Sequence, residues 1–360
     1  MKILHVITSL HYAGAERLLV NAANLHAARH EIDIVYFKGE PHLEPELDPS
    51  ITVHRVPLDK HCTKRLRQLM QERRPDVLHT HLGHADFAGL WASRGLPLKR
   101  VCTMHNIWFK WSWKDRIIFA IYRTLFRRVV PDCRVVCISQ TVHQHVRRRL
   151  KVPADRALVI YNAIPHLRID GTSADLRREL EIPTDAFCVL FVGRLQRQKS
   201  VETLIRAAAR LRDQIPRLSV QIIGEGSERE ALDALCRELD AEDLVRFRGV
   251  TRAPERYFAA ADVFALPSVF EGFGLVVLEA FRAGLPVVAT DIEGPAELID
   301  HGHNGLLVPP RQDDQLAAAL TSLHDDAALR QRLAEAGEQT FTERFSIERY
   351  AAQLEALYQN

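Results

Sequence analysis

The chain has 360 residues, 47% apolar and 26% charged, with a formal net charge of +2, which is the profile of a soluble globular protein of two domains. No apolar run approaches the ~18 residues of a membrane span, and residues 1–8 run straight into a strand without the segments of a signal peptide. Six cysteines with no Cys-x2-Cys pair read as buried thiols of a reducing, cytoplasmic compartment, not as a zinc site or a disulfide frame. The charge is split. Residues 1–165 carry 26 Lys and Arg against 14 Asp and Glu, a balance of +12, and residues 166–360 carry −10. A basic half attracts phosphates, acidic glycans or an anionic membrane surface. No DNA- or RNA-binding module accompanies it, so nucleic acid is not expected as a partner.

In chain order, residues 2–8 read as a strand, a turn containing Gly14 follows, and a helix-period pattern runs through Leu18, Leu19, Ala22 and Leu25. Strand, glycine turn and helix make the first unit of a doubly wound sheet, here without the G-x-G-x-x-G of a dinucleotide site. Further strands are expected at 31–37, 51–56, 76–81, 100–106, 134–138 and 157–161. Ligands of such sheets sit beyond the C-terminal strand ends, which draws attention to His79, His81 and His105. A histidine there is either satisfied internally or part of a site. Three of them could suggest a metal, but none has His-x3-His or Glu-x-x-His spacing, so no metal is expected.

Residues 107–113 hold three of the four tryptophans. The helix expected over 114–130 has one apolar face, Ile117, Ile118, Ile121, Tyr122, Leu125 and Val129. Arg116, Arg123 and Arg127 lie opposite, and Phe119 and Phe126 sit on the flank. Two accounts stand side by side. In one, Trp108, Lys110, Trp111, Trp113, Lys114 and Arg116 dock on an anionic membrane, with Phe119 and Phe126 at the same boundary. In the other, the helix faces the core and the aromatic loop lines a pocket.

In the second half, a strand over 186–192 ends in Gly193-Arg194-Leu195, and Lys199 follows. Two cations five residues apart beyond a strand end can neutralise a diphosphate; the plain alternative is a solvated basic loop. Strands at 218–223 and 245–248 end in Gly224-Glu225-Gly226 and Gly249-Val250. A strand over 262–266 leads into Glu271-Gly272-Phe273-Gly274-Leu275-Val276-Val277-Leu278-Glu279. Gly272 and Gly274 let the backbone approach a ligand. A helix begins at Leu275, and its N-terminal N–H groups suit a phosphate. Glu271 and Glu279 flank that N-terminus, either as hydroxyl-binding groups or as two solvated glutamates at a loop–helix joint. Strands at 286–290 and 305–308 and a helical tail over 313–360 complete the pattern.

Written out, EGFGLVVLE resembles the Glu-x7-Glu signature of retaining glycosyltransferases of family 4. Other motifs follow in that family's order. The loop at Ala13-Gly14-Ala15-Glu16 resembles its Gly-Gly-Ala-Glu, with Ala13 for the first glycine. Thr103-Met104-His105-Asn106 resembles its T-x-H-N, Gly193-Arg194-Leu195 with Lys199 its G-R-L-x-x-x-K, and Asn162-Ala163-Ile164-Pro165 its interdomain hinge, with Ala163 and Pro165 in place of Gly and Asp.

The resemblance implies an α/β protein of two doubly wound Rossmann-like domains facing each other across a cleft, the GT-B fold. Residues 1–164 would bind the acceptor, with 342–360 packing back on them, and 165–341 would bind the nucleotide sugar. It implies transfer of a sugar from a nucleoside diphosphate sugar to an acceptor hydroxyl with retention, in glycolipid or surface polysaccharide synthesis at the inner membrane face. Arg194 and Lys199 would hold the diphosphate and Glu271 the sugar hydroxyls. Glu279 would bind the ribose, and His105 the sugar or developing charge. Gly14, Gly193, Glu225, Gly249, Val250, Gly272, Phe273, Gly274, Leu275 and Val276 would complete the donor bed. No cofactor or metal is implied beyond the donor substrate. Two other readings stand beside this one: a sugar-nucleotide epimerase or phosphorylase on the same fold, and a non-catalytic glycan-binding subunit.

Overall fold

Seven parallel strands form the first sheet of the computed structural model, which describes residues 1–105, 113–167 and 169–359. They are β1 (Lys2–Ile7), β2 (Glu31–Tyr36), β3 (Thr52–Arg55), β4 (Val77–His81), β5 (Lys99–Met104), β6 (Arg134–Cys137) and β7 (Ala157–Val159), in the order β3-β2-β1-β4-β5-β6-β7. Six more make the second sheet: β8 (Phe187–Val192), β9 (Leu218–Ile223), β10 (Val245–Gly249), β11 (Val263–Leu266), β12 (Val287–Thr290) and β13 (Leu306–Val308), in the order β10-β9-β8-β11-β12-β13. Each order reverses direction once, between β1 and β4 and between β8 and β11. Those reversals are the switch points where open parallel sheets bind ligands.

The inner strands read as near-continuous apolar runs because both faces are covered. Side chains alternate across a strand. Leu4 and Val6 therefore join one core with Leu78, Cys102 and Phe126. Ile3 and Ile7 join another with Val77, Val101 and Leu19.

By contact density the chain forms two units, Met1–Pro165 with Ile347–Asn360, and His166–Ser346. The final helix, Ile347–Gln359, buries Tyr350, Leu354, Leu357 and Tyr358 in the first unit, in the core that also holds Leu18 and Leu19 of the helix Gly14–Ala27. At roughly 1.5–3 kcal/mol per fully buried large apolar side chain, this segment is an integral part of that unit. Residues 342–346 belong to the second unit. Phe345 ends the helix Ala327–Arg344 there, with its ring 6.2 Å from that of Phe273.

The expected helix over 114–130 is two pieces, an α-helix at Trp113–Thr124 and a π-helical turn at Leu125–Val129. Phe119 is 8% and Phe126 0% exposed, so both lie in the core and neither can reach a membrane boundary, contrary to the amphipathic reading. Among the described residues, Ile117 and Ile121 are the large apolar side chains it leaves outside, 49% and 47% exposed. Phe119, Tyr122, Leu125 and Phe126 turn inward together. Trp108, Lys110 and Trp111 lie outside the described residues, as do the side chains of Trp113 and Lys114; Arg116 is exposed.

Candidate active site

The switch point of the second sheet gathers most of the donor residues singled out from the sequence. After β8 the chain passes Gly193 and Arg194, makes a 3-10 turn at Arg197–Lys199, and enters the helix Val201–Leu211 through Ser200 at φ 49°. Beyond β11 lie Ser268 and Glu271. The two loops are joined where the Val269 N–H donates to the Gln198 carbonyl at 2.8 Å. That backbone bond brings Lys199 Nζ onto Glu271 Oε1 as an ion pair with both side chains largely buried. Ser268 Oγ donates to the same carboxylate oxygen at 2.8 Å, and Thr290 Oγ1 in turn holds the Ser268 carbonyl. Arg194 is exposed, with no ion pair among the described residues. An ammonium has three donors, and Glu271 is the one partner of Lys199 seen among the described residues.

The glycines here do two different jobs. A Cβ on Gly224 (φ 134°) would stand 1.9 Å from the Gly193 carbonyl, and one on Gly226 would stand 2.1 Å from that of Leu195. The Leu195 N–H donates to Glu225 O at 3.0 Å, so the loops after β8 and β9 lie backbone on backbone. Gly272 is exposed and a Cβ there would meet nothing within 4 Å, so its bareness serves no internal packing. Gly274, at φ 91°, starts the helix Leu275–Arg282, whose N-terminus no side chain caps. Leu275 and Val276 open that helix, Phe273 is buried beside it, and Glu279 lies half-buried further along. Gly249 is at φ 68°, where a Cβ would stand 3.4 Å from Glu225 Oε1, and Val250 is 77% exposed.

In the first unit, Gly14 is exposed at the start of its helix, behind an extended Ala13 and without a side-chain cap. Period two aligns His5 of β1, His79 and His81 of β4, Thr103 of β5 and His105 just past it on one face. His79 and His81 are 0% and 1% exposed, so neither opens onto a surface beyond the strand ends. Burial holds His105 down to about 4 and His5 to about 3, and drives His79 and His81 well below 6.5, with neighbouring imidazoles adding to it at His79 and His81. All four are neutral near pH 7.

His5, His79 and His81 are a histidine cluster that could be imagined around a cation. The hydrogen bonds are against it. His79 Nδ1 contacts Tyr358 Oη at 2.6 Å and His79 Nε2 contacts Thr103 Oγ1 at 2.7 Å, so both nitrogens are engaged. Its ring lies 4.1 Å from that of His81, tilted by 34°, stacked on it more than converging with it on a common centre.

Residues 12–167 match the family model described as Glycosyltransferase Family 4, and residues 172–340 the one described as Glycosyl transferases group 1. A D-inositol 3-phosphate glycosyltransferase of Arthrobacter is 31% identical over 366 residues, covering 88% of this chain and 83% of that one. The chain belongs to the group 1 glycosyltransferases. A lipopolysaccharide core biosynthesis glycosyltransferase of Rhizobium meliloti, LpsD, is 38% identical over 170 residues, 47% of this chain and 48% of its own. Among solved structures, Anabaena Alr3699/HepE in complex with UDP superposes with a TM-score of 0.87 at 24% identity over 100% of both chains. It was also solved with UDP-glucose, at a TM-score of 0.82. The two parallel-sheet domains of this glycosyltransferase are those of the GT-B fold.

The glycosyltransferase thus assembles Lys199, Glu271, Gly272 and the helix N-terminus at one switch point, with Arg194 on the same loop as Lys199, and carries His105 on its other sheet. Two contributors escaped the reading of the sequence. Ser268 is three residues from Glu271 and has no motif of its own. His5 is 74 residues from His79, and only the alternation of strands that pair in the fold brings them together.

Proposed function

We propose that this glycosyltransferase moves a sugar from a nucleoside diphosphate sugar to an acceptor hydroxyl, with retention and without a metal ion. The observation that carries the reading is the Lys199–Glu271 pair beside an uncapped helix N-terminus at the β8/β11 switch point. Arg194, the two remaining Lys199 donors and the N–H groups at Leu275 and Val276 balance the diphosphate as it departs. Glu271, held by Ser268, keeps one oxygen for sugar hydroxyls. Glu279 takes the ribose. Gly193, Gly249, Val250 and Glu225 form the bed of the base and ribose, with Val250 offering the apolar surface. Gly14 and His105 serve the sugar and phosphate from the first unit. The departing phosphate takes the acceptor proton as the new bond forms on the same face, so no glycosidase-like carboxylate pair is required. A thermal-shift screen of nucleotide sugars tests the donor class, because a bound donor stabilises by mass action. The UDP and UDP-glucose complexes of HepE make UDP-glucose the first probe.

For the acceptor, the reading is a lipid-linked glycan at an anionic membrane face. The support lies in the first unit. A groove of about 690 Å³ is lined by Leu58, Phe87, Trp91, Ile117 and Ile121. Across the helix Trp113–Thr124, a second pocket of about 390 Å³ carries Arg116, Arg123, Arg148, Arg149 and Lys151. An apolar groove beside five cations suits an amphiphile with an anionic head, and LpsD offers a relative named for lipopolysaccharide synthesis. Sedimentation with anionic and neutral vesicles checks it. Binding should need anionic lipid, fall with salt and drop when Trp108, Trp111 and Lys110 are replaced by Ser. Protein left in the supernatant with anionic vesicles at low salt makes a soluble acceptor the better reading.

A further inference from the structure

Three of the buried imidazoles form a continuous chain. His5 Nδ1 lies 3.3 Å from His81 Nε2, and His81 Nδ1 lies 3.3 Å from His105 Nε2. At the two ends, His5 Nε2 and His105 Nδ1 are buried and have no hydrogen-bond partner among the described residues. A neutral imidazole carries one N–H and one lone pair, and every hydrogen bond needs one of each. Only two arrangements satisfy both links. In the first, each ring is protonated on Nδ1: His5 donates to His81, His81 donates to His105, and His105 Nδ1–H points out of the chain as a donor. In the second, each ring is protonated on Nε2, the bonds run the other way, and His105 Nδ1 offers a lone pair. Mixed arrangements put two donors or two lone pairs face to face.

We propose that His5 and His81 are positioning residues that act through His105, setting in concert whether its Nδ1 atom donates or accepts a hydrogen bond, and that an oxygen of the bound nucleotide sugar selects the donating form. The inference rests on the reading of His105 as a sugar-contacting group. Each ring stays neutral: as one proton passes from His105 to His81 and one from His81 to His5, a proton leaves His5 Nε2 to water and another enters His105 Nδ1 from water, so the change proceeds through transient opening of both ends. The balance between the two arrangements is close by construction, since each leaves one N–H and one lone pair orphaned at opposite ends. An acceptor oxygen at His105 satisfies the N–H and leaves only a lone pair, at His5, the cheaper orphan of the two. His79 stands apart from the switch, because its two nitrogens are tied to Tyr358 and Thr103. His26, the other buried imidazole nearby, has Nε2 committed to the Ala351 carbonyl at 2.9 Å. The arrangement gives His81 and His5, two and three hydrogen bonds from the ligand, a say in how the ligand is held without any contact to it.

Nitrogen-15 spectra of the full-length protein, labelled at histidine and recorded near neutral pH with and without UDP-glucose, test this, since protonated and bare ring nitrogens resolve cleanly. The expected result is one shared tautomer at His5, His81 and His105 in the free protein, and a response of all three to UDP-glucose. In His81→Phe the response of His105 should persist while that of His5 disappears. His5→Phe should weaken UDP-glucose binding roughly three- to ten-fold, and His5→Asn, whose amide can still meet His81 Nε2, should restore it to within about two-fold. Different tautomers among the three in the free protein, or a response confined to His105, would overturn the chain and leave the role of His105 standing. A protein that binds UDP-glucose with none of the three signals moving would remove both the chain and the sugar contact.

Discussion

At the residue scale, the two kinds of glycine in the loops of the second sheet separate packing from the proposed donor binding. Gly226→Ala drives a methyl into the Leu195 carbonyl. Overpacking of this kind costs about 1–3 kcal/mol, which should appear as a lower urea midpoint. Gly272→Ala meets open space, so stability should stay within about 0.5 kcal/mol of the parent while donor affinity falls. Unchanged donor affinity in Gly272→Ala would show that this stretch of backbone is not part of the bed. The EGFGLVVLE stretch was legible because both carboxylates and both glycines sit in one short run. Ser268 was not, because a hydroxyl that orients a carboxylate has no spacing rule, and neither was the short reach from Lys199 to Glu271 across two loops.

At the scale of elements, the switch points follow from the order of strands and loops, and the glycine-terminated strand ends were enough to place the loops after β8, β9 and β10. The helix Trp113–Thr124 shows where periodicity stops being sufficient. A wheel of regular 3.6-residue turns put Phe126 on a flank. The structure instead turns Phe119, Tyr122 and Phe126 inward, one face at i, i+3 and i+7, and leaves Ile117 and Ile121 outside. Phe126→Ala should therefore cost about 3–5 kcal/mol. The pair Ile117→Ser and Ile121→Ser should leave thermal stability nearly unchanged, because both side chains are about half exposed. The same double variant should weaken binding to anionic vesicles. A large loss of stability in the isoleucine pair would instead return that face to the core. The donor loops carry a separate expectation: turnover should be indifferent to chelator, because Arg194, Lys199 and a helix N-terminus supply the positive charge. Activity lost in EDTA and regained with magnesium or manganese would contradict it.

At the scale of the molecule, the histidine layer makes the first unit sensitive to acid. An unfolded imidazole takes a proton near 6.5, whereas burial keeps His5 and His105 neutral down to about 3 and about 4. Between those values the unfolded chain binds more protons than the folded one, so stability rises with pH and is lost as pH falls below 6.5. The slope should approach 1.4 kcal/mol per pH unit for each such imidazole, as a rough limit. Urea midpoints measured between about pH 8 and about pH 5 would show it, and a flat profile would contradict the burial. Two doubly wound domains were legible from the alternation of strand and helix, but this layer was not, since its members come from three strands far apart in sequence.

The most direct test of the central claim is a calorimetric titration of nucleoside diphosphate sugars, UDP-glucose first, into the parent protein and into Lys199→Ala and Arg194→Ala. One donor class should bind the parent, and each substitution should weaken it by on the order of 2–4 kcal/mol, the range for a lost charge-assisted contact to a phosphate, or roughly thirty- to a thousand-fold. Affinities within a factor of two of the parent in both variants would contradict the assignment of the diphosphate to the β8/β11 switch point.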